Sequence, residues 1–380
     1  MNFDLSPEQE LIRDTVREFA RERVAPVAEE LDREHRFPYE LVAEMAELGL
    51  MGIPFPEEYG GGGGDTLSSA IAIEELTRVD SSVAITVAAH TSLGTMPIFL
   101  YGSDEQKEQW LPDLASGKRL AAFGLTEPGA GSDAGATRTT AELRGGQWVI
   151  DGAKMFITNA GTDISACVTI TAATGEGEVS NIVVPNGTAG YEISPPMQKL
   201  GWRASDTREL SFQGCVVPEA NLLGERGQGF RQFLEILDGG RISVAAMGVG
   251  LAQGAYDLAR AYALERQQFG RPIAAFQAIQ FQLADMAVEI EAGRALVHKA
   301  AWLKDEGRPF ALEAATAKLY TGLLSNRAVN TALQIHGGYG FMDEFPISRL
   351  YRDQKILEIG EGTNEVQRMV IAKHLGLPAG

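Results

Sequence analysis

Two glycine-rich segments have the composition of loops that cradle phosphates or cofactors. The first, FGLTEPGAGS at 123–132, sets three glycines among Ser and Thr donors. Such a loop exposes backbone N–H groups that can hold an anion or the polar edge of a flavin without a helix dipole, although plain turns of this composition are commoner. Within it, Gly129-Ala130-Gly131-Ser132-Asp133-Ala134 fits GxGxxA, with Asp151 twenty residues beyond Gly131. A dinucleotide fingerprint must open a helix after a strand, whereas the Thr-rich ATRTTAEL here runs into Arg144-Gly145-Gly146, so a Rossmann site is rejected. The second segment, the five glycines 60–64 before Asp65, has no Lys-Ser/Thr after it and reads as a flexible turn. Gly248, Gly250 and Gly254 fall inside a helical pattern, where close helix packing is expected. Cys167 and Cys215 form no CxxC, and His35, His90, His298, His336 and His374 form no HxxxH, so neither a disulfide framework nor a zinc site is indicated.

The elements that must position these loops change period twice. Ser6-Pro7-Glu8-Gln9 is a capping-box pattern, and Ile12, Val16, Phe19, Arg23 and Val27 follow as one amphipathic face. Further helical patterns cover 38–48 and 67–100. From about 120 to 223 the chain breaks into short β-branched or aromatic runs (GQWVIDG, MFIT, ACVTITA, NIVVP, ELSFQG), which predict an antiparallel sheet folded as a small sandwich or barrel. Arg144-Gly145-Gly146 and Asp151-Gly152 are its expected turns. Helix returns near 229–266, 274–305, 309–336 and 364–375. The expected class is therefore multidomain α+β: an N-terminal helical domain (1–119), a middle β domain (120–226) and a C-terminal helical bundle (227–380). Strands do not alternate with helices, which excludes a doubly wound sheet.

Composition narrows the partners. The 380 residues are 44% hydrophobic and 22% charged, enough for two or three domains, with a formal charge of −18 and no basic run. Nucleic acid and anionic membranes are thereby disfavoured. MNFDLSPEQE has neither the basic nor the apolar region of an export signal, so a cytoplasmic location is expected. The uncharged stretch 81–103 is interrupted by His90, Gly94 and Pro97 and reads as a core helix rather than a bilayer span.

LTEPGAGSD (125–133), MFITN (155–159), ERQQFG (265–270), QIHGGYG (334–340) and EGTNEVQR (361–368) occur in this order and spacing. Through them the chain resembles the acyl-CoA dehydrogenase family over essentially its whole length, and the α, β, α order agrees with that family's fold. The resemblance implies FAD-dependent removal of two hydrogens from the α and β carbons of an acyl-CoA, the α one as a proton to a carboxylate and the β one as a hydride to flavin. The product is the trans-2-enoyl-CoA, electrons pass to an electron-transfer flavoprotein, and the assembly is a homotetramer built as a dimer of dimers. The pathways implied are fatty-acid β-oxidation or branched-chain amino-acid degradation. A weakly acidic thioester α-proton calls for a carboxylate of raised pKa in a dry slot and fixed donors at the enolate-like oxygen.

By the same resemblance the base is Glu361, whose own N–H would help to polarise the thioester carbonyl. An acidic residue near a helix N-terminus is also favoured by the dipole alone. Asn364 and Gln367 are expected to form a capping box just after it. Some family members carry the base at the position matching Gly240, which cannot serve. Phe123, Leu125, Thr126, Gly131, Ser132, Phe156 and Thr158 map to the isoalloxazine side of FAD, with Phe156 replacing a frequent Trp. Arg266, Phe269, Gln277, Gln334, Gly337 and Gly338 map to the pyrophosphate and adenosine end of a neighbouring subunit's FAD, and Thr363 and Glu365 complete the cofactor contacts. Ser132, Asp238 and Arg241 map to CoA contacts, with Gly360 and Gly362 beside the thioester; an intrahelical ion pair is the plain reading of Asp238 and Arg241. Arg352-Asp353 reads as structural.

Gly360 stands where many straight-chain members carry Tyr, so short or branched acyl chains are expected, although a turn glycine explains the residue equally. An acyl-CoA oxidase on the same fold is one rival; such oxidases usually carry a further helical domain for which 380 residues leave no room. A catalytically silent flavin- or CoA-binding assembly partner is another, and Glu361 argues against it. The acidic charge predicts salt-sensitive docking of a basic acceptor surface.

Overall fold

The computed structural model describes residues 4–378. Ser6 caps α1 (Pro7–Phe19) through both halves of the expected box, accepting from Gln9 N and donating its own N–H to Gln9 Oε1. The apolar stripe then departs from expectation. A π-helical stretch, Ala20–Val24, adds a residue to the turn, so Val24 is buried while Arg23 turns out to bond Glu44. After α2 (Ala28–Glu34) and α3 (Tyr39–Glu47) comes the five-glycine run, which is ordered rather than flexible. The N–H groups of Gly61 to Gly64 bond the carbonyls of Pro56, Gly52, Phe55 and Ile53, and a Cβ on Gly61 would lie 2.2 Å from Phe55 O.

The long helix expected at 67–100 is three. α4 (Thr66–Thr77) stops before Asp80, whose carboxylate accepts from Val83 N and starts α5 (Ser81–Ala89). A π-helical stretch, His90–Thr95, then joins α5 to α6 (Met96–Tyr101). Ser81–Tyr101 as a whole is the one stretch among the described residues long and apolar enough to cross a membrane, and 72% of its 18-residue apolar window is buried within the protein. α7 (Asp104–Ala115), which sequence periodicity did not suggest, is capped by a Ser103–Gln106 box.

The middle region holds β1 (Leu120–Gly124), β2 (Thr140–Arg144), β3 (Gln147–Thr158), β4 (Ser165–Gly175), β5 (Glu178–Pro185), β6 (Tyr191–Ile193) and β7 (Thr207–Pro218). Its sheet is mixed, not purely antiparallel: β1 lies parallel to β4, and β2 meets β4 in parallel at Thr140–Ala173. Along the chain the β2–β3 hairpin comes between β1 and β4, and in the sheet it lies beyond β4, so β1 and β4 are neighbours running the same way. Gly145-Gly146 does turn β2 into β3, but Asp151-Gly152 is no turn. Gly152 sits inside β3 at a bulge with φ 149°, pressed so closely on Thr139 that a Cβ would lie 2.6 Å from its Oγ1. Trp148, Ile150, Ile170, Leu210 and Phe212 fill the sheet's core.

α8 (Gly229–Glu265), the hairpin β8 (Gln267–Gln268) with β9 (Arg271–Pro272), α9 (Gln277–Asp305), α10 (Ala311–His336), α11 (Pro346–Asp353) and α12 (Asn364–His374) complete the chain. The α8 glycines are contact residues as expected. A Cβ on Gly250 or Gly254 would strike Glu74 O or Arg78 O of the α4 region at 2.3 and 2.2 Å, and one on Gly248 would meet Thr321 of α10. α11 went unseen in the sequence, yet its last residues join the three regions. Arg352 pairs with Asp32, and Asp353 accepts from Ser81 Oγ and Trp202 N.

Candidate active site

The turn before α12 holds the first cluster. Thr363, not Asn364, caps α12 by accepting from Val366 N. Gln367 is thereby released from a capping role and donates its amide back to Glu361 O (3.1 Å) and Gly362 O (2.8 Å). Lys318 of α10, wholly buried, donates to the same Gly362 carbonyl at 2.7 Å. Held this way, Glu361 adopts φ 55°, a left-handed conformation that a side chain adopts at a cost of about 1–3 kcal/mol and that clusters at functional sites.

Its Oε2 is buried and has no hydrogen-bond partner. Across from it lies α8 at Gly240, where a Cβ would come within 3.0 Å of Oε2 and 3.3 Å of Leu93 from the π-helical stretch. Burial pushes the Glu361 carboxyl up to about 7, against the opposing charges of Arg241 and Lys318. Arg241, nearly fully buried, pairs with Asp238 one turn earlier, as the plain reading held. Gly360 does not use the left-handed region, and a Cβ there would meet Ile356 at 3.4 Å or more, so backbone geometry does not demand glycine.

The loop after β1 converges on the same place. Phe123 is buried against Phe233 and Ile236 of α8, with Leu93, Leu125, Leu237 and Ala134 packed around them. Below it, buried Lys154 donates to Glu127 Oε1 (2.8 Å), Leu125 O (3.2 Å) and Thr171 Oγ1 (3.0 Å), while Glu127 also accepts from Arg138 N and Thr139 N. Gly131 and Ser132 sit at the exposed tip, with open space where a Gly131 Cβ would be. Met155 N bonds Thr126 O at 2.8 Å, and the register shift between Lys154 and Ile157 turns Phe156 (φ 63°) outward, 60% exposed. Thr158 is half-buried at the end of β3.

The second cluster lies at the other end of α8. Arg266, Gly337 and Gly338 line a cavity of about 510 Å³. Tyr262 stacks on His336 at 4.5 Å in its wall, and the Arg266 guanidinium stands 5.5 Å from the centroid of Tyr339. Gln277, Gln334 and Phe269 are exposed nearby in sequence, Phe269 at the hairpin tip, but do not line that cavity. Glu365, in the first turn of α12, pairs with Arg368 one turn on.

The structure thus brings Glu361, Gly240, Arg241 and the 123–134 loop into one region, and Arg266 with the 337–338 turn into another. Both suit an elongated dinucleotide cofactor. The exposed loop tip offers N–H groups and the bulge offers an aromatic face; the cavity offers stacked rings and a guanidinium for phosphate. Sequence reasoning missed Lys318, Lys154, Glu127 and Leu93, and gave Gln367 a capping role in place of its bonds to the Glu361 and Gly362 carbonyls. For Lys318 one signal existed: a lone charge in the stripe Ala314, Ala317, Lys318, Thr321, Ser325.

Models of the acyl-CoA dehydrogenase N-terminal, middle and C-terminal domains match residues 6–118, 122–215 and 227–376. The probable acyl-CoA dehydrogenase YngJ of Bacillus subtilis (strain 168) is 52% identical over 380 residues, covering 99% of this chain and 100% of that protein. The short-chain specific acyl-CoA dehydrogenase of Clostridium acetobutylicum is 47% identical over 374 residues, covering 98% and 99%. A chain solved in work on the electron transferring flavoprotein of Acidaminococcus fermentans and flavin-based electron bifurcation has a TM-score of 0.97 at 44% identity, with 99% of each chain covered. Sequence and fold agree over the full length: the chain belongs to the acyl-CoA dehydrogenase family, and it is an FAD-dependent oxidoreductase acting on a CH–CH bond.

Proposed function

We propose that this enzyme converts a short or branched acyl-CoA to its trans-2-enoyl-CoA, with Glu361 as the base that takes the α-proton. The observation that carries the reading is the Glu361 carboxylate, whose buried Oε2 lacks a partner and faces the side-chain-free Gly240. Bound FAD supplies the acceptor for the β-hydrogen with its electron pair. The Leu93, Phe123 and Leu237 wall excludes water and keeps the carboxylate basic. Glu361 N–H polarises the thioester carbonyl, while Asp238, Arg241 and Ser132 bind CoA groups.

The proton transfer needs the ionised carboxylate. With its pKa near 7, kcat/KM falls about tenfold per pH unit as pH drops below that value and levels off above it. Replacement of Glu361 by Gln preserves volume and is expected to give a yellow protein that butyryl-CoA does not bleach. Full anaerobic bleaching of that variant would reassign the base.

Short or branched chains are supported by Gly360, where the backbone requires no glycine, and by the short-chain specific relative. A panel in which only long straight-chain thioesters react would remove this part of the reading. An electron-transfer flavoprotein as acceptor is supported by the Acidaminococcus likeness, and its docking to a −18 surface should weaken with salt. Arg241 and Arg266 stand 25 residues apart on and just after one helix, about 37 Å by helical rise and longer than an extended dinucleotide. That span supports a homotetramer in which Arg266, Gly337 and Gly338 serve a neighbour's FAD, in a cytoplasmic enzyme.

A further inference from the structure

A buried lysine without a carboxylate at hydrogen-bond distance calls for explanation, because an uncompensated ammonium is costly in a dry interior. Among the described residues Lys318 has no ion pair within 4.0 Å, and its Nζ donates to Gly362 O. That carbonyl already has a neutral donor in Gln367, so pinning the turn does not by itself require a charge. The other acids nearby are engaged. Asp238 pairs with Arg241 on α8, Glu358 accepts from Asn326 and Lys355, and Glu365 of α12 pairs with Arg368. The acid left to balance Lys318 is Glu361, one residue from the carbonyl it holds.

We propose that Lys318 is a positioning residue for the base: it fixes the Gly362 carbonyl so that Glu361 stays in its left-handed turn, and it adds, to the Arg241 guanidinium that α8 already shares with Asp238, positive charge against which the Glu361 carboxylate ionises. This deepens the reading of Glu361 as base and rests on it. Burial draws the Lys318 ammonium down to about 8, and Glu361 is the leading charge acting in the opposite direction. Lys318 is still cationic at neutral pH, the state the role requires. The division of labour is testable because Gln367 contributes the same hydrogen bond without the charge.

In the FAD-loaded enzyme with butyryl-CoA, Lys318→Met should move the acid limb of kcat/KM upward by about one pH unit, since loss of a neighbouring cation favours the protonated base. Lys318→Gln, smaller and also neutral, should give the same shift and serves if Met is not accommodated. Gln367→Met should lower kcat and leave the limb in place. Infrared difference titration of FAD-stripped protein gives a readout independent of turnover: the carboxyl C=O band missing from Glu361→Gln should titrate at higher pH in Lys318→Met. An unmoved limb and band in both Lys318 variants would overturn the proposal, as would an equal shift in Gln367→Met. Bleaching of Glu361→Gln would instead overturn the base assignment, and the infrared titration would still report whether Lys318 governs that carboxylate.

Discussion

Two lysines are wholly buried among the described residues, and they are used differently. Lys154, beneath the 123–132 loop, is closed on Glu127, Leu125 O and Thr171 Oγ1; Lys318, beneath the Glu361 turn, has a single carbonyl. Burial draws both ammoniums down to about 8. In the first case the field is spent locally. Burial opposes the Glu127 charge, but the Lys154 ammonium and the N–H groups of Thr139 and Arg138 hold its carboxyl below the usual range. In the second the field is left free to act on Glu361, the base proposed above. On this reading a closed ion pair anchors a loop, and a cation without one tunes a base.

The largest expected effect tests whether Lys154 is purely structural. Lys154→Met leaves Glu127 buried without its cation and should cost about 3–5 kcal/mol in urea unfolding, with loss of flavin. Lys318→Met strands only a carbonyl that Gln367 still serves and should cost about 1–2 kcal/mol. Equal losses would erase the distinction. Next in size, Gly240→Ala places a methyl 3.0 Å from Glu361 Oε2 and should lower kcat about ten- to hundredfold with little change in melting temperature. A fall in stability without a fall in kcat would show that the Glu361 side, too, is built for rigidity. Smallest, Gly360→Ala adds a methyl with tolerable contacts and should narrow acceptance of branched over straight chains by about tenfold or less in kcat/KM.

Local signals in the sequence were reliable where one interaction decides the structure. Ser6 with Gln9 starts α1, Gly145-Gly146 turns a hairpin, and Gly250 and Gly254 permit helix contact. They failed where tertiary contacts choose between local alternatives. Asp151-Gly152 has turn chemistry but lies at a bulge inside β3, where Gly152 packs on Thr139, and Thr363 takes the cap while Gln367 bonds the Glu361 carbonyl. The parallel pairing of β1 with β4 is a non-local choice that no periodicity records. The Glu361 motif was legible through family resemblance, but its electrostatic support was not. A lysine on an alanine-rich helix has the same letter whether it faces water or a buried turn.

The left-handed backbone at Glu361 also bears on how this enzyme responds to selection. Glycine at 361 would relieve both the strained φ and a buried carboxylate, and relief of each stabilises a fold. A library screened for heat resistance alone would therefore enrich chains that lack the proposed base. Thermostable variants are better sought by pairing the heat step with a flavin-bleaching step, because here a residue held at a cost to the fold is also the proposed base.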